Sequence, residues 1–129
     1  MTIHNAPSLA RLARRAALLL AAVLLGACGS GSSPHSAVPA AAVRKTCLQV
    51  SAVLSDGPDP GADPVGYAEA QIQPLSQVQA PDKALGKAIS ALADAYRTFF
   101  ASNGKGSAAR DAVAAASKRI NSFCPGAAS

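Results

Sequence analysis

The sequence predicts an all-α fold, a small up-down bundle of about four helices. Three observations lead there. Apolar residues recur at steps of three and four through residues 43–124, which is the helical period, and nothing alternates with period two over a useful length. Breaker-rich stretches divide that region into segments joined by short loops, the arrangement of antiparallel neighbours. High alanine content permits close approach of helices while supplying little apolar area.

Each element has its own signals. In the first helix, Val43, Cys47, Val50 and Leu54 form one stripe, and Asp56-Gly57 ends it. The loop GPDPGADP follows. Asp63 is placed as an N-cap with Pro64 at the first helical position, and Val65, Ala68, Ile72 and Leu75 continue at helical spacing. Pro74 is expected to kink or break this second helix, because it lacks an amide donor and crowds residue 70. Pro81-Asp82 restarts the chain, and Leu85, Ile89, Leu92, Tyr96 and Phe99 mark the clearest helix of the protein. It stops at Asn103-Gly104, a pair suited to a left-handed cap. Ser107 is expected to cap the last helix, whose inner stripe is Val113, Ala116, Ile120 and Phe123. Lys118 and Arg119 stand near its C-terminus, where the helix dipole favours positive charge, and Pro125-Gly126 ends it. The expected folded domain is residues 43–126, with a disordered tail at 127–129.

Composition narrows the class. The chain has 129 residues, a single-domain length, which excludes a multidomain enzyme. Half is hydrophobic but only 4% is aromatic, and there is no tryptophan. The formal charge is +5, yet Arg11, Arg14 and Arg15 supply much of it. Beyond Cys28 basic and acidic residues nearly balance, which argues against nucleic acid as a partner.

The N-terminus reads as a signal peptide over residues 1–27: a basic head, the apolar run AALLLAAVLL at 16–25, then small residues. The run is too short to cross a hydrocarbon core of roughly 30 Å. Leu25-Gly26-Ala27-Cys28 resembles the lipobox of bacterial lipoproteins, with leucine three positions before the cysteine and small residues between. The resemblance covers residues 11–28. It implies lipidation of the Cys28 thiol, with palmitate-type acylation, cleavage before Cys28, and export to the outer face of the cell membrane. Arg14-Arg15 leaves both the general and the twin-arginine export routes open. Residues 28–42 follow as a lipidated cysteine and a flexible Gly/Ser/Pro/Ala tether, with an r.m.s. span of roughly 20 Å. His35, within it, reads as an ordinary polar residue.

With Cys28 lipidated, Cys47 and Cys124 remain. Both lie on apolar stripes, and an exported chain meets oxidising conditions, so a disulfide between them is expected. It would clip the first helix to the last. In the chain-entropy model a loop of about 80 residues is worth about 4–5 kcal/mol. A domain this small and alanine-rich needs such a staple.

No catalytic set emerges, and the chain reads as a non-enzyme without a cofactor. The folded segment has no histidine, which excludes Ser–His and Cys–His pairs and leaves zinc without ligands. Asp94 and Asp111 stand opposite their apolar stripes. Asp56, Asp59 and Asp63 form a weak candidate for Ca²⁺, although helix ending and capping explain two of them. Lys105, Arg110, Lys118 and Arg119 spread around the last helix as a solvated surface, with anionic headgroups as the alternative contact. Leu48, Ile72, Phe99 and Phe100 are candidates for a ligand or partner surface, with Tyr67 nearby.

Composition and layout look like the small alanine-rich lipoproteins of high-GC Gram-positive bacteria. The expected function is a membrane-tethered, non-catalytic binding or structural module of the cell envelope, meeting an envelope protein as partner. The alternative is a carrier of a small apolar ligand inside the bundle, which requires a void lined by Leu48, Ile72, Phe99 and Phe100.

Overall fold

The computed structural model describes residues 38–129, and they form four α-helices: α1 Ala40–Leu54, α2 Pro64–Gln77, α3 Lys83–Ala101 and α4 Ser107–Phe123. There is no strand among the described residues, and none of their helices is long and apolar enough to cross a membrane. The expected signal peptide, Cys28 and His35 lie outside the described residues.

α3 is the centre of the domain and packs against both α2 and α4, whereas α1 packs chiefly on α2. The reason is in the side chains. α3 buries Leu85, Ala88, Ile89, Leu92, Ala93, Ala95 and Tyr96. Its large residues follow the 3.6-residue period, and the alanines beside them widen the apolar face enough to meet two neighbours. Asp82 starts it, accepting the Leu85 amide at 2.7 Å. Asn103 (φ 51°) and Gly104 (φ 67°) end it in the left-handed region, where glycine and asparagine are favoured.

α1 buries only Thr46 and Val50. Its last tie is covalent: Cys47 is bonded to Cys124, just past the end of α4, with Cα atoms 5.2 Å apart. The chain folds back after the bridge. The Asn121 side chain donates to the Ala128 carbonyl and accepts its amide, both at 2.9 Å.

Four local expectations are corrected. α1 begins at Ala40 rather than Val43, because Ala40, Ala41 and Ala42 are strong helix formers that extend it to Pro39. Pro74 does not break α2, which continues to Gln77. Its ring lies in the final turn, so one bond to Ala70 is lost and little helix remains to disrupt. Ser107 is the first residue of α4 and makes no cap. Gly106 holds the N-cap position at φ 90° without a side-chain bond. The segment 127–129 is not a loose tail, since Ala127 and Ala128 pack on the core and Asn121 clamps the turn.

Candidate functional site

Contacts between elements define two ends. At the first, the Thr46 hydroxyl on α1 lies 3.4 Å from the Gln79 carbonyl of the α2–α3 loop, and the disulfide brings in the end of α4. At the second, the start of α2 meets the end of α1. The Tyr67 hydroxyl donates to the Leu54 carbonyl at 2.7 Å, and Gln71 Nε2 donates to the Asp56 carbonyl at 2.7 Å.

The most developed site lies at this second end, around two tyrosines. Tyr67 projects from the first turn of α2, which Asp63 starts by accepting the Gly66 amide at 2.8 Å. Tyr96 projects from α3 on its buried face and is 7% exposed. The rings meet edge to face, with centroids 5.8 Å apart and planes at 83°. Hollows open on either side of the pair. One, of roughly 190 Å³, is lined by Pro60, Pro64, Phe99 and Val113 with the two rings. The other, of roughly 300 Å³, lies toward Ser117 and the folded-back tail. Burial pushes the Tyr96 hydroxyl above the ordinary phenol value. The neighbouring Tyr67 hydroxyl acts in the same direction, and Ser117 acts against both. A phenol held neutral keeps its proton and can donate a hydrogen bond.

Gln71 also lies at this end. It is buried, and its Oε1 has no partner while Nε2 is taken. Sequence reasoning passed over both buried polar residues. Gln71 lies three past Ala68 and four before Leu75, and Thr46 lies three past Val43 and four before Val50. That spacing places each in the middle of its stripe, which was the available signal.

The candidate ligand surface is not gathered. Leu48 is 68% exposed and borders a hollow beside the disulfide, with Ser51, Pro125 and Ala127. Phe99 borders the tyrosine cleft, Ile72 is half-buried against the core, and Phe100 is 38% exposed. The main hollows take at most one of these four residues each. The three loop carboxylates are also kept apart by separate local tasks. Asp56 accepts the Gly57 amide at 2.9 Å, Asp59 the Gly61 amide at 2.7 Å, and Asp63 caps α2. No three acidic, cysteine or histidine side chains converge among the described residues. Asp94 pairs with Arg97 on the exposed face of α3, and Asp111 is exposed on α4.

No protein-family model, no curated protein and no solved structure matches the chain.

Proposed function

We propose that this protein is a lipid-anchored protein of the cell envelope whose helical domain serves as a non-catalytic binding or structural module. The observation that carries the reading is Leu25-Gly26-Ala27-Cys28 at the end of a short apolar run behind a basic head. A thiol in that position lies at the membrane surface when the chain is exported, where a lipid can be attached. Two or more acyl chains there make a stable anchor, where one holds only marginally. The pairing of Cys47 with Cys124 supports export, since such bonds persist in oxidising compartments. The domain's chemistry supports binding rather than catalysis: its described residues contain no histidine, and its cysteines are bonded to each other.

The carrier alternative gains no specific support. A bundle that encloses an apolar ligand needs a chamber of several hundred Å³ inside the core. Here Leu75, Leu85, Ile89, Leu92 and Ile120 fill that space. Partners are therefore expected on the outside of the bundle.

Replacing Cys28 with alanine tests the reading. The Cys28→Ala chain should accumulate as unprocessed precursor and, once released from the export machinery, fail to stay with the membrane fraction. A variant that is cleaved normally and remains membrane-bound would overturn the anchor.

A further inference from the structure

The antiparallel fold sorts the charges of this domain into two unlike halves. One half holds the start of α1, the end of α2, the start of α3 and the end of α4. Its coherence rests on the Thr46 contact to Gln79 and on the Cys47–Cys124 bond. It carries six basic residues, Arg44, Lys45, Lys83, Lys87, Lys118 and Arg119, all exposed. Its one acidic residue is Asp82, whose carboxylate is occupied in capping α3. The other half has the reverse balance. Arg97, Lys105 and Arg110 stand there against Asp56, Asp59, Asp63, Glu69, Asp94 and Asp111. The ion pair found among the described residues, Asp94 with Arg97, lies in this second half, so none of the six basic residues of the first half is neutralised by a carboxylate.

The basic half is also where the chain enters the domain. Ala40, the first residue of α1, follows Cys28 by a dozen residues. That length of chain reaches at most about 40 Å when fully extended. We propose that this basic end is a docking face for anionic phospholipid headgroups, so that the domain rests on the membrane with its acidic end outward. The orientation rests on the anchoring of Cys28 proposed above. The attraction itself comes from the charges: each basic residue close to an anionic surface strengthens binding by about fivefold, within a Debye length of it. Tethering keeps the face at high local concentration, so a modest surface affinity suffices. Leu48 takes no part, because it lies about 12 Å along α1 from Ala40, beyond headgroup reach when the end faces the membrane.

The five lysines of the domain provide the test, since four lie in the basic half and Lys105 lies in the other. The mature chain, purified in detergent, is assembled with nanodiscs of phosphatidylcholine alone or of phosphatidylcholine with phosphatidylglycerol. Amine-reactive labelling is then read residue by residue by mass spectrometry. Labelling should be lost at Lys45, Lys83, Lys87 and Lys118 in the anionic discs only, kept at Lys105 in both, and restored by 1 M salt. Equal labelling of all five lysines in a chain that co-elutes with both kinds of disc overturns the docking face and leaves the anchor intact. Co-elution with anionic discs alone, with the four lysines protected, supports the face and overturns the anchor. A chain that co-elutes with neither overturns both.

Discussion

α1 and α3 are both amphipathic helices, of 15 and 19 residues, and they are held in opposite ways. α3 is held by burial. Seven of its side chains are in the core, and it touches helices on two sides. α1 sets two buried side chains against mainly one neighbour, and one of the two is a threonine. What α1 lacks in apolar area it gains from a covalent bond near its middle. The difference teaches where stability lies in an alanine-rich bundle. Few side chains are large enough to anchor a helix on both flanks, so the large ones are concentrated on one central helix. The helix that joins the domain to the rest of the chain is fixed by the bridge.

The bridge is the place to break this comparison most sharply. Reduction, or replacement of Cys47 and Cys124 together by serine, should lower the unfolding free energy by about 2–5 kcal/mol. Hydrogen exchange should then rise first in α1, while α2, α3 and α4 keep most of their protection. Uniform loss across all four helices would mean that α1 belongs to the core as fully as α3 does. Leu92→Ala, at a site with no exposure on α3, is the converse experiment. It should cost about 2–5 kcal/mol and melt the whole domain together, as followed by denaturant titration. Val50→Ala on α1 removes less volume against fewer neighbours, and should cost roughly 2 kcal/mol.

The sequence made this contrast partly legible. Leu85, Ile89, Leu92 and Tyr96 follow the helical period so regularly that α3 and its inner face could be read directly, and Asp63, Asp82 and Asn103-Gly104 marked their ends by residue chemistry alone. On α1 and α2 the expected Val50, Ala68 and Leu75 are buried and Val43, Cys47, Leu54 and Ile72 pack against the core, but the buried polar residues Thr46 and Gln71 were missed. There the middle of the stripe is polar, and the reading followed the nearby apolar residues Cys47 and Ile72. Thr46 is tolerated inside because its hydroxyl reaches the Ala42 carbonyl at 3.2 Å, a local bond that periodicity does not report. The basic end was not legible at all in linear order. Lys118 and Arg119, read with Lys105 and Arg110 around one helix, look scattered. Only the antiparallel packing sets them beside Arg44, Lys45, Lys83 and Lys87.

Smaller effects sharpen the account of the helix ends and of the cleft. Asp82→Ala should cost about 1 kcal/mol through the lost cap of α3, and Ser107→Ala should cost far less, since Ser107 makes no cap bond. Comparable losses at both sites would restore a capping role to Ser107. Tyr96 gives a pH effect of fixed sign. Its folded-state value lies above the ordinary 10.0, so above that pH the unfolded chain loses the proton first. The Tyr96 contribution is therefore fully present below about pH 10 and declines as the pH rises beyond it. Thermal melts of Tyr96→Phe should show a shallower alkaline decline than the parent. Parallel declines would remove burial of that hydroxyl from the account.

If the anchor proposed above holds, the domain is tied twice beyond its helix packing, by lipid ahead of α1 and by the Cys47–Cys124 bond between the middle of α1 and the end of α4. The intact mass of the protein extracted from native envelopes without reductant tests both at once. The predicted species begins at Cys28, carries a lipid on that residue, and has Cys47 and Cys124 joined, so that a thiol alkylating agent adds nothing until a reductant is supplied. A species that retains residues 1–27, or one without lipid, or one that alkylates at two cysteines before reduction, would contradict the account.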